Sequence, residues 1–284
     1  MKFNVFTEME YVVKSASTLI LNINALRTQH QTVLSEEFIV EPYIKTEELP
    51  ATAGENRMVR FEINQPGTIK ITYKATVDNH YKTVDYEGQY ETAVAQFDHS
   101  IIPYLYPSRY CQSDKLFRLA NHQFGHILNP FEQVLAISEW INKNVEYLSG
   151  STNAETSAYD TVTQQAGVCR DFAHLGIALC RALTIPARYC SVYAYQLEPQ
   201  DFHACFEAYL SGHWVIFDAT RLAPLNGFVR IAVGRDAADT AIANIFGDIT
   251  FDSMQINSTL VEGTLIPFYY ESGKFDGISY DSAL

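Results

Sequence analysis

The sequence predicts an α+β protein, with an N-terminal antiparallel β-sandwich followed by a core in which a central helix packs on an antiparallel sheet. Three observations support this prediction. Apolar and polar residues alternate over much of the first hundred residues, helical periodicity begins only after them, and three strand-like segments follow the most apolar helix pattern. We therefore expect a sandwich over residues 1–107 and a core over residues 108–284.

The N-terminal region has the pattern of strands and turns. Alternation is clearest over residues 68–79, after the turn signal Pro66-Gly67, and residues 19–26 alternate as well. Several such segments without helical period favour an antiparallel sandwich. The segment 101–110 contains two prolines and ends this pattern.

Helical spacing of apolar residues begins after that segment. Ser113 is the predicted N-cap of a short helix, and Asn129-Pro130 opens a longer one. The polar stretch 149–165 is long for a connection, so we expect part of it to be a functional loop. The central helix is predicted from Cys169 to Leu183. Three strands are expected after it, over residues 187–196, 202–210 and 213–220.

Composition limits the expected location and partners. The net charge of −13 argues against nucleic acid and anionic membrane surfaces as partners. No apolar run approaches the roughly 20 residues that span a bilayer, and the first residues lack the apolar core of a secretory signal. We therefore expect a cytoplasmic protein. The five cysteines form no CxxC pair, so reduced thiols are the simplest interpretation.

The segment GVCRDFAH, residues 167–174, places Cys169 after a glycine and in the first turn of the central helix. Unpaired backbone N–H groups and the positive end of the helix dipole stabilise a thiolate there. Gly167 would let the backbone pass close to a substrate. Gln164 and Gln165 precede the cysteine and are candidates for a side-chain donor to an oxyanion.

A hairpin supplies the other two candidate residues, His203 and Asp218. The turn signal Ser211-Gly212 pairs the two strands so that Cys205 opposes Asp218. His203 and Asp218 then become diagonal neighbours on one face, about 7 Å apart. Cysteine, histidine and aspartate supply a nucleophile, a base and an orienting carboxylate. We expect His203 to hold one ring nitrogen against Asp218 and to present the other to Cys169.

The residues alone leave other interpretations open. Cys169 also fits a buried structural cysteine, His203 a hydrogen-bonded strand histidine, and Asp218 a strand-end residue. All three are zinc-ligand types, but their spacing matches no compact zinc pattern. No metal or other cofactor is therefore expected.

The two segments GVCRDFAHLGIALCRALTIPARYCSVY and DFHACFEAYLSGHWVIFDAT together resemble the core of the transglutaminase-like superfamily. Cys169, His203 and Asp218 fall on the positions of that family's cysteine, histidine and aspartate. The segment 229–241, VRIAVGRDAADTA, is similar to the bacterial branch, whose members often carry an N-terminal β-rich region and are often described as cysteine proteases. The resemblance implies a papain-like core and a thioester acyl-enzyme formed at an amide bond of a peptide or protein.

The resemblance leaves several activities open. Water or a second amine would resolve the thioester, and hydrolysis is slightly favoured because water needs no acceptor site. A catalytically inactive peptide-binding or assembly scaffold is the main alternative. An amine acyltransferase that uses a thioester donor is a further one. The calcium dependence of animal transglutaminases is not expected, since no matching site is identified. The oligomeric state is not predicted.

Overall fold

The computed structural model describes residues 1–49 and 56–281. Within these residues the helices are α1 (Ser113–Phe124), α2 (Pro130–Asn144), α3 (Ala158–Gln164) and α4 (Cys169–Ala182), with short 3-10 helices at Val94–Gln96, Ile102–Leu105 and Leu225–Gly227. The strands are β1 (Lys2–Val13), β2 (Ser17–Leu21), β3 (Gln31–Glu41), β4 (Glu47–Glu48), β5 (Val59–Ile63), β6 (Gly67–Asn79), β7 (Lys82–Asp85), β8 (Glu146–Tyr147), β9 (Ala166–Gly167), β10 (Ala187–Ala194), β11 (Phe202–Leu210), β12 (His213–Phe217), β13 (Phe228–Gly234), β14 (Ala243–Phe246), β15 (Ile249–Leu260) and β16 (Asp276–Ser279).

Two four-stranded antiparallel sheets form the sandwich, in the orders β15-β1-β6-β3 and β14-β2-β5-β4. Alternate residues of β1, β2, β5 and β6 are buried between the sheets, because successive side chains of a strand point to opposite faces. The predicted face of β6 is buried as expected, and it comprises Ile69, Ile71, Tyr73, Ala75 and Val77.

The strand predicted over residues 19–26 is shorter in the structure. It ends at Leu21, and the next residues stay buried without sheet pairing. Their backbone groups bond elsewhere: the N–H of Ala25 donates to the Tyr73 hydroxyl at 3.0 Å, and the N–H of Leu26 donates to the Arg230 carbonyl at 2.9 Å. The alternation predicted the burial of these residues correctly but overestimated the length of the strand. Their hydrogen-bond partners lie far away in the sequence, so a local pattern could not indicate them.

Strands pair across residue 107 in both directions. The C-terminal strands β14 and β15 pair with β2 and β1 and complete both sandwich sheets. The N-terminal strand β7 pairs with β16 and so joins the sheet of the core. The boundary between residues 1–107 and 108–284 stays a prediction, and the sheets on either side of it share strands from both ranges.

The core contains a six-stranded sheet in the order β13-β10-β11-β12-β16-β7, and α4 packs against it. Each neighbouring pair in this sheet is antiparallel. Contact between α4 and β11 is close at Gly176, where an added Cβ atom would lie 2.5 Å from the ring of Phe206. The predicted α+β fold, with a central helix on an antiparallel sheet, is confirmed.

The helix boundaries are mostly those predicted. The side chain of Asn129 caps α2 by accepting the N–H groups of Phe131 and Glu132 at 2.9 and 3.2 Å. Ser113 was expected to cap α1, but it is the first helical residue and Gln112 occupies the cap position. The Ser113 N–H already donates to the Cys111 carbonyl at 3.0 Å, so the chain turns one residue earlier.

The stretch 149–165 is only partly a loop. Its second half forms α3, which begins where the Asp160 carboxylate accepts the backbone N–H of Ser157 at 3.0 Å.

Among the described residues, no helix is long and apolar enough to span a membrane.

Candidate active site

Cys169 is the first residue of α4, and the start of this helix is fixed by the side chain of Asp171. The Asp171 carboxylate accepts the Val168 N–H at 2.9 Å and is fully buried. A Cβ atom at Gly167 would lie 2.8 Å from the Cβ of Asp171. The missing side chain of Gly167 thus makes room for the side chain of Asp171, and the expected approach of a substrate at this glycine stays a prediction.

Cys169 differs from the other four described cysteines in exposure. It is partly exposed, whereas Cys111, Cys180, Cys190 and Cys205 are buried free thiols. Burial raises the pKa of the Cys111 thiol to about 12, and it also raises the pKa values of Cys180 and Cys205. Those three thiols therefore stay protonated and serve as small apolar packing groups. Cys169 is the thiol that a solute can reach.

The β11–β12 hairpin has the predicted register, with Leu210 opposite His213 and Phe206 opposite Phe217. Ser211 and Gly212 both have positive φ angles, of 47° and 88°, as a type I′ turn requires. The register determines which residues of the two strands share a face.

Asp218 lies directly after β12, and its side chain contacts His203. The Nε2 atom of His203 is 2.8 Å from Oδ2 of Asp218. The second oxygen of the carboxylate, Oδ1, accepts the backbone N–H and the hydroxyl of Thr220 at 2.9 and 2.7 Å. The side-chain amide of Asn142 on α2 holds the loop that follows β12, because it donates to the Ala219 and Thr220 carbonyls at 2.9 and 3.2 Å. Both carboxylate oxygens are therefore oriented by hydrogen bonds.

His203 also interacts with Cys169, so the structure brings the three predicted residues together. Burial lowers the pKa of His203, but the charge of Asp218 and hydrogen bonds to Asp218 and to the Cys169 side chain raise it to about 10. Because Nε2 is bonded to Asp218, Nδ1 is the ring nitrogen available to the sulfur. At neutral pH the imidazole is therefore protonated beside the thiol.

Gln164 and Gln165 lie at the exposed C-terminal end of α3. Gln165 adopts a left-handed φ of 56° as the C-cap of that helix, and its carbonyl accepts the Glu146 N–H at 2.8 Å. Within the described part of the chain, neither side chain is hydrogen-bonded to the three site residues. Their role as oxyanion donors stays a prediction.

Tyr147 lies beside the start of α4 and was missed in the sequence. It pairs with Gly167 across β8 and β9, and its ring centroid is 5.8 Å from that of Phe172. Burial and the charge of Cys169 raise the pKa of Tyr147 to about 12, so the hydroxyl keeps its proton. The strand that carries Tyr147, after the second predicted helix, has only two residues and is too short to give a periodic signal. No local pattern indicated that this strand runs beside Gly167.

Two further side chains lie within electrostatic range of the site. The charge of Asp201 contributes to the raised pKa of Tyr147, and burial raises the pKa of the Asp201 carboxyl. Tyr269, which is partly exposed, has its pKa raised by burial and by the charge of Asp218.

Across residues 1–49 and 56–281, no three His, Cys, Asp or Glu side chains are grouped as they would be to hold a metal ion.

The arrangement provides what acyl transfer through a thiol requires. A reachable sulfur stands at a helix N-terminus, a histidine adjoins it, and a buried carboxylate orients that histidine. The same helix start leaves backbone N–H groups free to stabilise negative charge on a substrate oxygen.

Family models match two separate ranges of the chain. Residues 1–100 match the bacterial transglutaminase N-terminal domain, and residues 118–219 match the transglutaminase-like superfamily. The second range contains Cys169, His203 and Asp218.

Similar proteins agree with these matches. A crystal structure from Cytophaga hutchinsonii, described as a "Putative Cysteine Protease", is 53% identical, with a TM-score of 0.97 over 99% of this chain and 98% of that one. An uncharacterized protein of Mycobacterium leprae is 31% identical over 121 residues, which are 39% of this chain and 43% of that protein. The chain thus matches less than half the length of the Mycobacterium leprae relative.

Proposed function

The chain belongs to the transglutaminase-like superfamily, and we propose that it is a thiol enzyme acting on amide bonds of peptides or proteins. The observation that supports this most strongly is the meeting of Cys169, His203 and Asp218 at the start of α4. In the proposed reaction Cys169 is the nucleophile, His203 the acid and base, and Asp218 the group that orients His203.

The first half of the reaction forms a thioester. The imidazolium of His203 stabilises the Cys169 thiolate, which attacks the carbonyl carbon of the amide. A C–S bond forms and the π electrons of the carbonyl move onto its oxygen, near the N–H groups at the start of α4. The carbonyl then re-forms, the C–N bond breaks, and the departing amine takes the proton of His203.

The second half restores the enzyme. His203, now neutral, takes a proton from a water molecule as the water oxygen attacks the thioester carbon. The tetrahedral intermediate expels the sulfur as a thiolate, and His203 is again an imidazolium beside it. An amine in place of water would give transamidation by the same steps. We propose hydrolysis as the main outcome, since water needs no acceptor site.

The proposal is tested with a library of fluorogenic peptide amides and with casein plus dansylcadaverine as acyl donor and amine acceptor. The wild-type protein should release fluorophore, and Cys169→Ala should lower kcat/KM by at least about 10⁴-fold, as for removal of a catalytic nucleophile. The matched control is Cys111→Ala, which removes a buried thiol outside the site.

Four outcomes separate the candidates. Fluorophore release without dansyl incorporation would support hydrolysis, and efficient incorporation would favour transamidation. Activity that survives Cys169→Ala would overturn the thiol mechanism. Peptide binding without turnover in the wild-type protein would favour the scaffold alternative.

A further inference from the structure

His174 is a fully buried histidine on α4, and its imidazole joins this helix to two segments from elsewhere in the chain. The ring stacks on that of Tyr110, with centroids 4.9 Å apart, and it packs on the ring of Tyr189, with centroids 5.1 Å apart. Its Nε2 atom accepts the backbone N–H of Ala237 at 3.2 Å. One titratable side chain thus holds both the segment of Tyr110 and the segment of Ala237 on α4.

Tyr110 connects this contact to the loop that joins β8 to α3. The hydroxyl of Tyr110 donates to the carbonyl of Ala154 in that loop at 2.9 Å. The carbonyl of Asn153, in the same loop, accepts the Nη2 group of Arg170 at 2.6 Å. Arg170 directly follows Cys169 in the chain. The loop is therefore held at one end by the tyrosine that stacks on the imidazole and at the other by the neighbour of the candidate nucleophile.

The neutral form of His174 is the one that fits these surroundings. Because Nε2 accepts an N–H, the proton of the neutral ring is on Nδ1. Within the described residues, Nδ1 has no hydrogen-bond partner. Burial lowers the pKa of His174 well below its ordinary value, and the charges of Arg170 and Arg181 lower it further. A proton added to the ring would place a cation in a buried site near two arginines.

The charged groups on the segments packed against the ring are bonded elsewhere. Asp236 precedes Ala237, but its carboxylate accepts the N–H groups of Tyr110 and Ala238, both at 2.9 Å. The other charged and titratable groups on these elements are neutral, positive or already paired, namely Tyr189, Cys111, Arg109, and Arg235 with its partner Asp239. Among the described residues, no carboxylate is bonded to the imidazole that could stabilise a charge on it.

From this geometry we infer that His174 is an acid-sensitive clamp, whose protonation releases residues 235–240 and Tyr110 from α4 and so loosens the loop between β8 and α3. A protonated Nε2 is a donor and faces the donor N–H of Ala237, so acid removes this hydrogen bond. The proton comes from solvent, and no covalent bond other than N–H forms. The inference concerns the response of the chain to pH and does not depend on the proposed thiol chemistry.

The size of the response follows from linkage. In the open form the imidazole reaches solvent and has an ordinary pKa near 6.5, whereas the closed form binds the proton only at lower pH. Acid therefore favours opening, by up to a factor of ten for each pH unit below about 6.5. Between pH 7.5 and pH 5 the equilibrium constant for opening should rise by about 10- to 30-fold.

Amide hydrogen exchange of the native protein at these two pH values, corrected for the intrinsic pH dependence of exchange, measures the opening. In the wild type, corrected exchange at residues 235–240 should rise about 10- to 30-fold on acidification, and exchange at residues 149–157 should rise with it. His174→Gln keeps an acceptor near the place of Nε2 but takes up no proton. Its corrected exchange should change less than about threefold.

His174→Phe is the second variant, because it keeps a ring against Tyr110 and offers no acceptor. It should exchange quickly at residues 235–240 at both pH values. The matched control is His122→Gln, at an exposed position on α1, which should respond as the wild type does.

Equal pH responses in wild type and His174→Gln would overturn the clamp. A response at residues 235–240 without one at residues 149–157 would overturn its extension to the loop beside the candidate site. The wild type alone gives a further test, in case neither variant folds. Titration of the His174 ring near pH 6.5, followed by NMR and without a change in exchange at residues 235–240, would contradict the inference.

Discussion

The Nε2 atom of His203 lies 2.8 Å from Oδ2 of Asp218, and the two side chains are 1% and 2% exposed. Their contact follows from the β11–β12 register, which puts both residues on one face of the sheet. A buried pair of this kind is strongly coupled, because little water screens the charge of the carboxylate. The orientation of His203 thus depends on groups that hold Asp218.

Asp218→Asn should lower kcat/KM on the amide substrate by about 10³- to 10⁴-fold while leaving the fold intact. An amide of the same shape has no charge to stabilise an imidazolium, and it can hold the wrong tautomer of the histidine. Steady-state kinetics and circular dichroism measure the two effects. Asp252→Asn, an exposed position on β15, should change neither. A variant at position 218 with wild-type kinetics would exclude Asp218 from the mechanism.

Thr220→Val should lower kcat/KM by about 10- to 100-fold, since a hydrogen bond to a charged group is worth about 1.5–3 kcal/mol. The lost donor is the hydroxyl that lies 2.7 Å from Oδ1 of Asp218. Thr220→Ser keeps that hydroxyl and should restore most of the activity. If both variants behaved alike, the effect would come from packing and not from orientation of the carboxylate.

The His203–Asp218 pair should stabilise the fold more at low pH than at high pH. The folded-state pKa of His203, about 10, lies above the unfolded value near 6.5, so protonation of His203 favours the folded state. This stabilisation is complete below about pH 6.5 and is lost as the pH rises through 10. The difference in unfolding free energy between wild type and His203→Gln, from urea titrations, should therefore shrink from pH 6 to pH 10.

The control for this experiment is His126→Gln, at an exposed position after α1. Its difference from wild type should be small at both pH values. A wild-type advantage over His203→Gln that grew with pH would mean that the histidine is not held as an imidazolium in the folded protein.

Gly167→Ala should destabilise the fold by about 1–3 kcal/mol, as overpacking of a filled site does. The new methyl group would lie 2.8 Å from the Cβ of Asp171 and push away the residue that caps α4. Thermal unfolding monitors the loss. The double variant Gly167→Ala with Asp171→Gly removes the Cβ atom that clashes, so its loss of stability should be smaller than the sum of the losses of the two single variants. Strict additivity would show that the two positions do not touch.

The hairpin was predictable because its determinants are local. Ser211-Gly212 fixes the turn, the period of two fixes the faces, and the contact between His203 and Asp218 follows. Cys169 at a helix start was likewise readable from Gly167 and the apolar period that follows. These features need only short-range patterns.

Other features depend on partners that are distant in the sequence. Strands β14 and β15 complete the sandwich although they follow the core in the chain, so alternation could not show where they pair. Tyr147 is brought beside Gly167, two residues before Cys169, by a two-residue parallel pairing that is too short to give a periodic signal.

The most direct test of the central claim is alkylation of the native protein by iodoacetamide at pH 6, followed by peptide mapping. An ordinary thiol, with a pKa near 8.5, is almost entirely protonated at that pH and reacts slowly. If His203 holds Cys169 as a thiolate, label should accumulate at Cys169 well before the four buried cysteines, and His203→Gln should slow it at least about 10-fold. Labelling of Cys169 at the same rate in wild type and His203→Gln would contradict the claim.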